Sequence, residues 1–139
     1  MSQATVAGSC LCGAVRFEVT GVALRFYHCH CSRCRKASGT GHASNIAIRA
    51  DSVRWLSGEE LVAGYKIPEA ERFSTRFCSR CGGPVPRIVQ ELGAVVIPAG
   101  SLDGEPPLHP QARIFWESRA AWSCSGEDLP HFPEYPPAG

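Results

Sequence analysis

Cys78-Ser79-Arg80-Cys81-Gly82-Gly83 sets two thiols three residues apart on a tight turn, with glycine after the second, where the backbone needs a conformation closed to other residues. Such a knuckle supplies two ligands to a tetrahedral metal ion and needs two more. Cys10-Leu11-Cys12-Gly13 is the natural supplier. On a regular strand Cys10 and Cys12 would lie on one face but ~6.5 Å apart along the chain, so a turn at Leu11 or Gly13 has to draw the two sulfurs together. A metal held by Cys10, Cys12, Cys78 and Cys81 would tie the first strand to the middle of the chain and close a long loop.

A second cluster, His28-Cys29-His30-Cys31-Ser32-Arg33-Cys34-Arg35-Lys36, packs three thiols and two imidazoles into a few residues. Core packing does not explain that density. Zinc bound by four thiolates is structural, whereas zinc bound by three keeps one position for water or a substrate atom. A three-thiolate site holds a soft, exchangeable ligand well, and a second thiol fits the vacancy and would ionise there near neutral pH. Arg33, Arg35 and Lys36 either offset the negative cluster as a solvated face or hold the carboxylates of an anionic substrate. His28 and His30 alternate with the cysteines, so on an extended segment they point away from the sulfurs. The competing reading is that His28, His30 or His42 completes a Cys₃His site and leaves no open position. Ser38, His42, Ser44 and Asn45 follow the cluster and are candidates to line a pocket. His109 and His131 fall in a proline-rich region and are expected at the surface, and Cys124 is read as an ordinary thiol.

The chain has 139 residues, 44% of them hydrophobic, with eight cysteines and a formal charge of +1. That is one domain over residues 1–139, with a core of about 8–135, large enough to fold without disulfides. The start of the chain lacks a charged segment followed by an apolar run, and no stretch approaches ~20 apolar residues, so the expectation is no secretory signal, no membrane span and a reducing cytoplasm. In that compartment disulfides are disfavoured. If seven thiolates bind two Zn²⁺ the net charge falls by about three. Neither charge suits a nucleic-acid binder, and the basic residues are scattered apart from Arg33, Arg35 and Lys36.

Read for period, the chain is mainly strands. Ala14 to Thr20 puts Val15, Phe17 and Val19 on one face, and Arg72 to Phe77 does the same with Phe73, Thr75 and Phe77. Further strands are expected at Ile46 to Arg49, Val53 to Leu56, Leu61 to Tyr65, Val85 to Val89, Ala94 to Ala99 and Ala112 to Trp116. The one helical fragment is Ser32 to Ser38. Beyond Gly100 the prolines predict extended surface loop, with Ile114, Phe115, Trp116 and Trp122 apolar enough for a strand and a packed return.

Gly8-Ser9-Cys10-Leu11-Cys12-Gly13-Ala14-Val15-Arg16-Phe17, Cys29-His30-Cys31-Ser32-Arg33-Cys34-Arg35-Lys36 with Ser38-Gly39, and Phe77-Cys78-Ser79-Arg80-Cys81-Gly82-Gly83 together resemble the glutathione-dependent formaldehyde-activating family (the Gfa-like, centromere protein V/Gfa domain). Ala99-Gly100-Ser101-Leu102-Asp103 and Ile114-Phe115-Trp116 extend the likeness. The resemblance implies a mainly β, Mss4-like (β-tent) fold of two packed antiparallel sheets stapled by zinc. It implies two Zn²⁺ ions, a structural one on Cys10, Cys12, Cys78 and Cys81 and a catalytic one on Cys29, Cys31 and Cys34. The activity it implies is that of a carbon–sulfur lyase joining glutathione and formaldehyde to S-hydroxymethylglutathione, or the reverse, with a small-molecule thiol as partner. Relatives of the same fold imply an alternative, a non-catalytic zinc-stabilised protein-binding module, and a three-thiolate site also suits zinc storage or redox sensing. A cleft beside the three-cysteine group would favour the enzyme, and an exposed apolar patch the binding module.

Overall fold

Val15, Phe17 and Val19 alternate with Arg16, Glu18 and Thr20, and the three apolar side chains are completely buried on one face. A computed structural model describes residues 3–124 and 128–137, of Cys124 the backbone alone. The chain forms β1 (Gln3–Ser9), β2 (Arg16–Cys29), α1 (Ser32–Ser38), β3 (Ala43–Ser57), β4 (Val62–Lys66), β5 (Ser74–Cys78), β6 (Arg87–Val89), β7 (Ala94–Pro98) and β8 (Ala112–Ile114). The larger sheet runs β1-β2-β3-β7-β6, with β8 on β2; the smaller is the hairpin β4-β5.

The fold is thus mainly β with two sheets, as expected, and every pairing but one is antiparallel. The exception is β8, which runs parallel to β2 opposite Tyr27 to Cys29, on the edge that β1 leaves after Val22. The proline-dense connection between β7 and β8 is long enough for the crossover that a parallel pair needs. Gln111 fastens that crossover: its backbone N–H donates to Phe26 O (2.9 Å) and its side-chain oxygen accepts from Phe26 N–H (3.0 Å).

Two apolar clusters hold the sheets. The main one gathers Val6, Phe17, Val19, Phe26, Ile46, Ile48, Val95 and Ile97. The second consists of Cys10, Val15, Cys78 and Val85. Trp55 packs against both and meets Phe17 edge to face at 6.3 Å.

Several elements differ from the sequence reading for identifiable reasons. The strand expected at Ala14 to Thr20 continues to Cys29, and those at 46–49 and 53–56 join into β3, because register shifts beyond Thr20 and Ala23 let the two long strands pair across irregularities. β1 was not anticipated; its small residues carry little pattern, and only Val6 and Gly8 are buried. β6 is shortened because Pro84 and Pro86 have no N–H to give to a ladder. β8 stops at Ile114 because Phe115 takes a left-handed conformation (φ 54°). The return after it is only lightly packed among the described residues: Trp122 and Ser123 come against Gly41, but Phe115 and Trp122 are largely exposed. α1 matches its expected bounds, with Cys31 Sγ accepting the Cys34 N–H at its start and left-handed Gly39 closing it. His109 and His131 are exposed, and the Cys124 side chain lies outside the described residues. No helix among the described residues is long and apolar enough to cross a membrane.

Gly58, between β3 and β4, has φ 75°, and a Cβ there would stand 2.3 Å from Ala14 O. Gly58→Ala therefore meets both left-handed strain and a backbone clash and should cost about 2–3 kcal/mol. Urea unfolding of the two proteins under one set of conditions measures it.

Candidate metal centres and the adjoining cleft

Cys10 and Cys12 are brought together by a turn. Gly13 N–H donates to Cys10 O (3.1 Å) and Cys10 N–H to Val15 O (3.0 Å), which leaves the two sulfurs 3.7 Å apart instead of a strand repeat. Cys78 and Cys81 sit on the second turn, closed by Gly82 N–H to Cys78 O (2.7 Å), with Gly82 left-handed at φ 77° as its place after the second cysteine requires. Cys12 and Cys78 sulfurs are 4.0 Å apart, and all four lie within 4.8 Å of one another. Four sulfurs tetrahedrally placed at a metal–sulfur distance of ~2.3 Å stand about 3.8 Å apart, so this group fits a tetrahedral thiolate site. Backbone N–H groups also aim at the sulfurs: Val15 at Cys10 (3.3 Å), Arg80 at Cys78 (3.3 Å) and Gly83 at Cys81 (3.4 Å). Such donors favour thiolates.

The negative charge is unevenly shared. Backbone hydrogen bonds from Cys12 and Gly83 bring Cys81 down to about 6. For Cys12 a backbone bond from Ala14 favours the thiolate, but burial and the thiols of Cys10, Cys81 and Cys78 outweigh it and push it up to about 11.

The second group is assembled locally. Cys29 ends β2, Cys31 caps α1 and Cys34 lies within it, and their sulfurs also fall within 4.8 Å of one another. Cys29 and Cys34 are buried, and Cys31 is half-exposed. Burial raises Cys29 and carries Cys34 far above the ordinary thiol range. Burial also opposes ionisation of Cys31, but the backbone N–H of Cys34, the thiols of Cys34 and Cys29, and the backbone of Arg33 outweigh it and lower its pKa. The seven clustered cysteines are free thiols.

None of His28, His30 or His42 brings a ring nitrogen into the three-sulfur group. The imidazoles instead gather with one another: His42 stacks on His28 at 4.0 Å and stands 5.0 Å from His30, which meets the Trp116 edge at 5.1 Å. His30 is 2% exposed, and neither of its nitrogens has a hydrogen-bond partner. Burial, then the charge of His42, lowers the pKa of both His28 and His30.

A cleft of about 1150 Å³ runs between the α1 side of the large sheet and the β4-β5 hairpin. Ser38, His42, Ser44 and Asn45 all line it, as do Arg33 and Lys36, whereas Arg35 does not. Hydroxyls fix this wall: Ser38 donates to Cys34 O (2.8 Å) and meets Thr40 Oγ1 (2.9 Å), Thr40 donates to His42 O (2.5 Å), and Ser44 Oγ meets His42 Nδ1 (3.3 Å). Of the clustered cysteines Cys10 alone lines the cleft; the trio does not, but Ser32 and Arg33 from the same turn and Ala43, the partner of Cys29 across β2 and β3, do. Arg76 and Arg87 add two cations that the sequence reading did not single out, and nothing local marks them, because each is an isolated arginine in a strand. The cleft's acid, Asp103, already accepts from Ser9 Oγ at 3.1 Å.

The profile of the family described as glutathione-dependent formaldehyde-activating enzyme (GFA) matches residues 5–118. This chain belongs to the GFA family. A Halomonas elongata protein provisionally named a glutathione-dependent formaldehyde-activating enzyme is 33% identical over 123 residues, 83% of this chain and 77% of its own. The crystal structure of a Rhodobacter sphaeroides protein is similar in fold, with a TM-score of 0.56 and 24% identity over 77% of this chain and 98% of that one.

The charge distribution in this GFA protein gives a direct test of the four-cysteine corner. In metal-free, reduced protein at pH 7, iodoacetamide should label Cys81 before Cys12, since Cys81 is largely thiolate above about 6 and Cys12 remains a thiol until about 11. Peptide mapping of partly alkylated protein should show Cys81 labelling fall off below pH 6.

Proposed function

We propose that this GFA-family chain is a zinc-dependent carbon–sulfur lyase acting on S-hydroxymethyl-type adducts of a thiol and a small aldehyde, with glutathione the thiol that its family and its Halomonas relative are named for. One observation carries the reading: three sulfurs converge with no fourth His, Cys, Asp or Glu donor among the described residues, and their neighbours Ser32, Arg33 and Ala43 line a cleft that also holds cations. In this proposal the chain is a single domain of Mss4-like type in a reducing cytoplasm, where free thiols persist.

Cys10, Cys12, Cys78 and Cys81 would hold a structural zinc, which their near-tetrahedral sulfur spacing fits. Cys29, Cys31 and Cys34 would hold a second zinc, with Cys31 the ligand nearest to solvent. When bound there, zinc supplies a Lewis-acidic position that favours the ionised form of a thiol. The substrate sulfur forms its bond to the carbonyl carbon of the aldehyde while the carbonyl π electrons move to oxygen. His42, the one imidazole in the cleft wall among the described residues, takes up the thiol proton and returns it to that oxygen. In reverse it removes the hydroxyl proton as the carbon–sulfur bond breaks. Cations along the cleft draw in the carboxylates of an anionic thiol.

Metal analysis should find two zinc ions per chain and one in a folded Cys31→Ser variant. Exchange NMR of glutathione with formaldehyde should show acceleration by wild type, none by Cys31→Ser, and a loss of roughly 100-fold in His42→Gln with its zinc intact. Exchange at the uncatalysed rate by wild type, with glutathione and with other thiols, would defeat the lyase reading. A Cys31→Ser protein that unfolds and loses both ions would make the second site structural.

A further inference from the structure

Four cations line the cleft, and they are not equivalent. Arg33 and Lys36 are exposed on α1, and Arg76 is exposed on β5 with its guanidinium donating to Thr75 O at 2.8 Å. Arg87 is half-buried on β6, in register with Val96 of β7, and its side chain makes no hydrogen bond or ion pair with any described residue. A guanidinium partly withdrawn from water and without an acceptor gains from one, and its five donors match a carboxylate in two-point contact. Arg87 lines the same cleft as Ser32 and Arg33, the two residues between Cys31 and Cys34 at the start of α1.

We propose that Arg87 is the carboxylate anchor of the cleft, a specificity-determining residue that orients a carboxylate-bearing thiol with its sulfur toward Cys29, Cys31 and Cys34. The inference rests on the lyase reading for the identity of the ligand. The exposed cations gain less from the same contact, because water already solvates them. A thiol lacking carboxylates should therefore enter the cleft without the orientation that Arg87 imposes.

The test uses the zinc-loaded protein and two unreactive probes, S-methylglutathione and its diethyl ester, titrated by calorimetry against wild type, Arg87→Gln and Arg87→Lys. Zinc content and exchange of glutathione and its diethyl ester with formaldehyde are measured on the same samples. Wild type should prefer the free acid, and Arg87→Gln should weaken the acid roughly 10- to 100-fold while leaving the ester within about twofold and zinc unchanged. Arg87→Lys should recover part of the loss, since it keeps the charge without the fork. Equal binding of acid and ester by wild type, or equal weakening of both by Arg87→Gln, overturns the anchor. Loss of one zinc in Arg87→Gln also overturns it, and makes Arg87 a counter-charge to the three thiolates. Preference for the acid that depends on Arg87, in a protein that accelerates neither exchange, upholds the anchor while the lyase reading falls.

Discussion

The corner where Cys10, Cys12, Cys78 and Cys81 meet is the constraint on which the two sheets depend. The hairpin β4-β5 is only five residues a side and buries little of itself, and a two-stranded hairpin alone is marginal in water. Its last residue, Cys78, is fully buried against Cys10, Val15 and Val85, so the sulfur corner is also the apolar contact that joins hairpin to sheet. Phe77 bridges to Pro84 and Val85 N–H donates to Arg76 O (3.0 Å), which returns the chain from that corner into β6. A metal bound here would act on a junction that packing has already drawn together. The gain is greatest where the closed loop is long and the local core small.

That junction makes the cleft. Its walls come from the α1 side of the large sheet and from the hairpin, and Cys10 and Gly83 at the corner form part of its lining. A change that loosened the corner would alter the cleft without touching α1. The three-cysteine group depends on different forces. Its cysteines span six residues at the end of β2 and the start of α1, and the Cys34 N–H to Cys31 Sγ bond (3.3 Å) belongs to the helix cap itself. One group is therefore a tertiary product and the other nearly a secondary-structure motif.

Histidines near a thiol cluster are natural suspects as ligands, and alternation along β2 argues against them. The structure agrees for a physical reason. At the strand end His28 and His30 face away from the sulfurs and meet His42, which immediately precedes β3 and is brought there by the pairing of His28 with Ser44. The result is an imidazole cluster behind the cleft wall, packed on Trp116, whose ring is flanked by the guanidinium groups of Arg113 (5.5 Å) and Arg119 (4.3 Å). The C-terminal segment meets the rest of the protein through the β8–β2 ladder, the contact of Trp116 with His30 and the approach of Trp122 to Gly41, and its cation–ring contacts are internal to it.

By itself the sequence determined the features that are local: the mainly β class, the buried face of Val15, Phe17 and Val19, α1 with its bounds, and the seven cysteines as groups of four and three. Each rests on a period, a turn residue or a spacing that a short stretch encodes. The continuation of β2 to Cys29, the merging of two expected strands into β3 and the existence of β1 were decided by pairing across register shifts, which no single strand carries. Tertiary structure alone placed Arg76 and Arg87 with Arg33 and Lys36 around one cleft, kept the three imidazoles out of the trio, and left Arg87 without a hydrogen bond or ion pair to any described residue. These are relations between surfaces far apart in the chain, and an arginine in a strand looks the same in sequence whether it meets water, an acid or an empty wall.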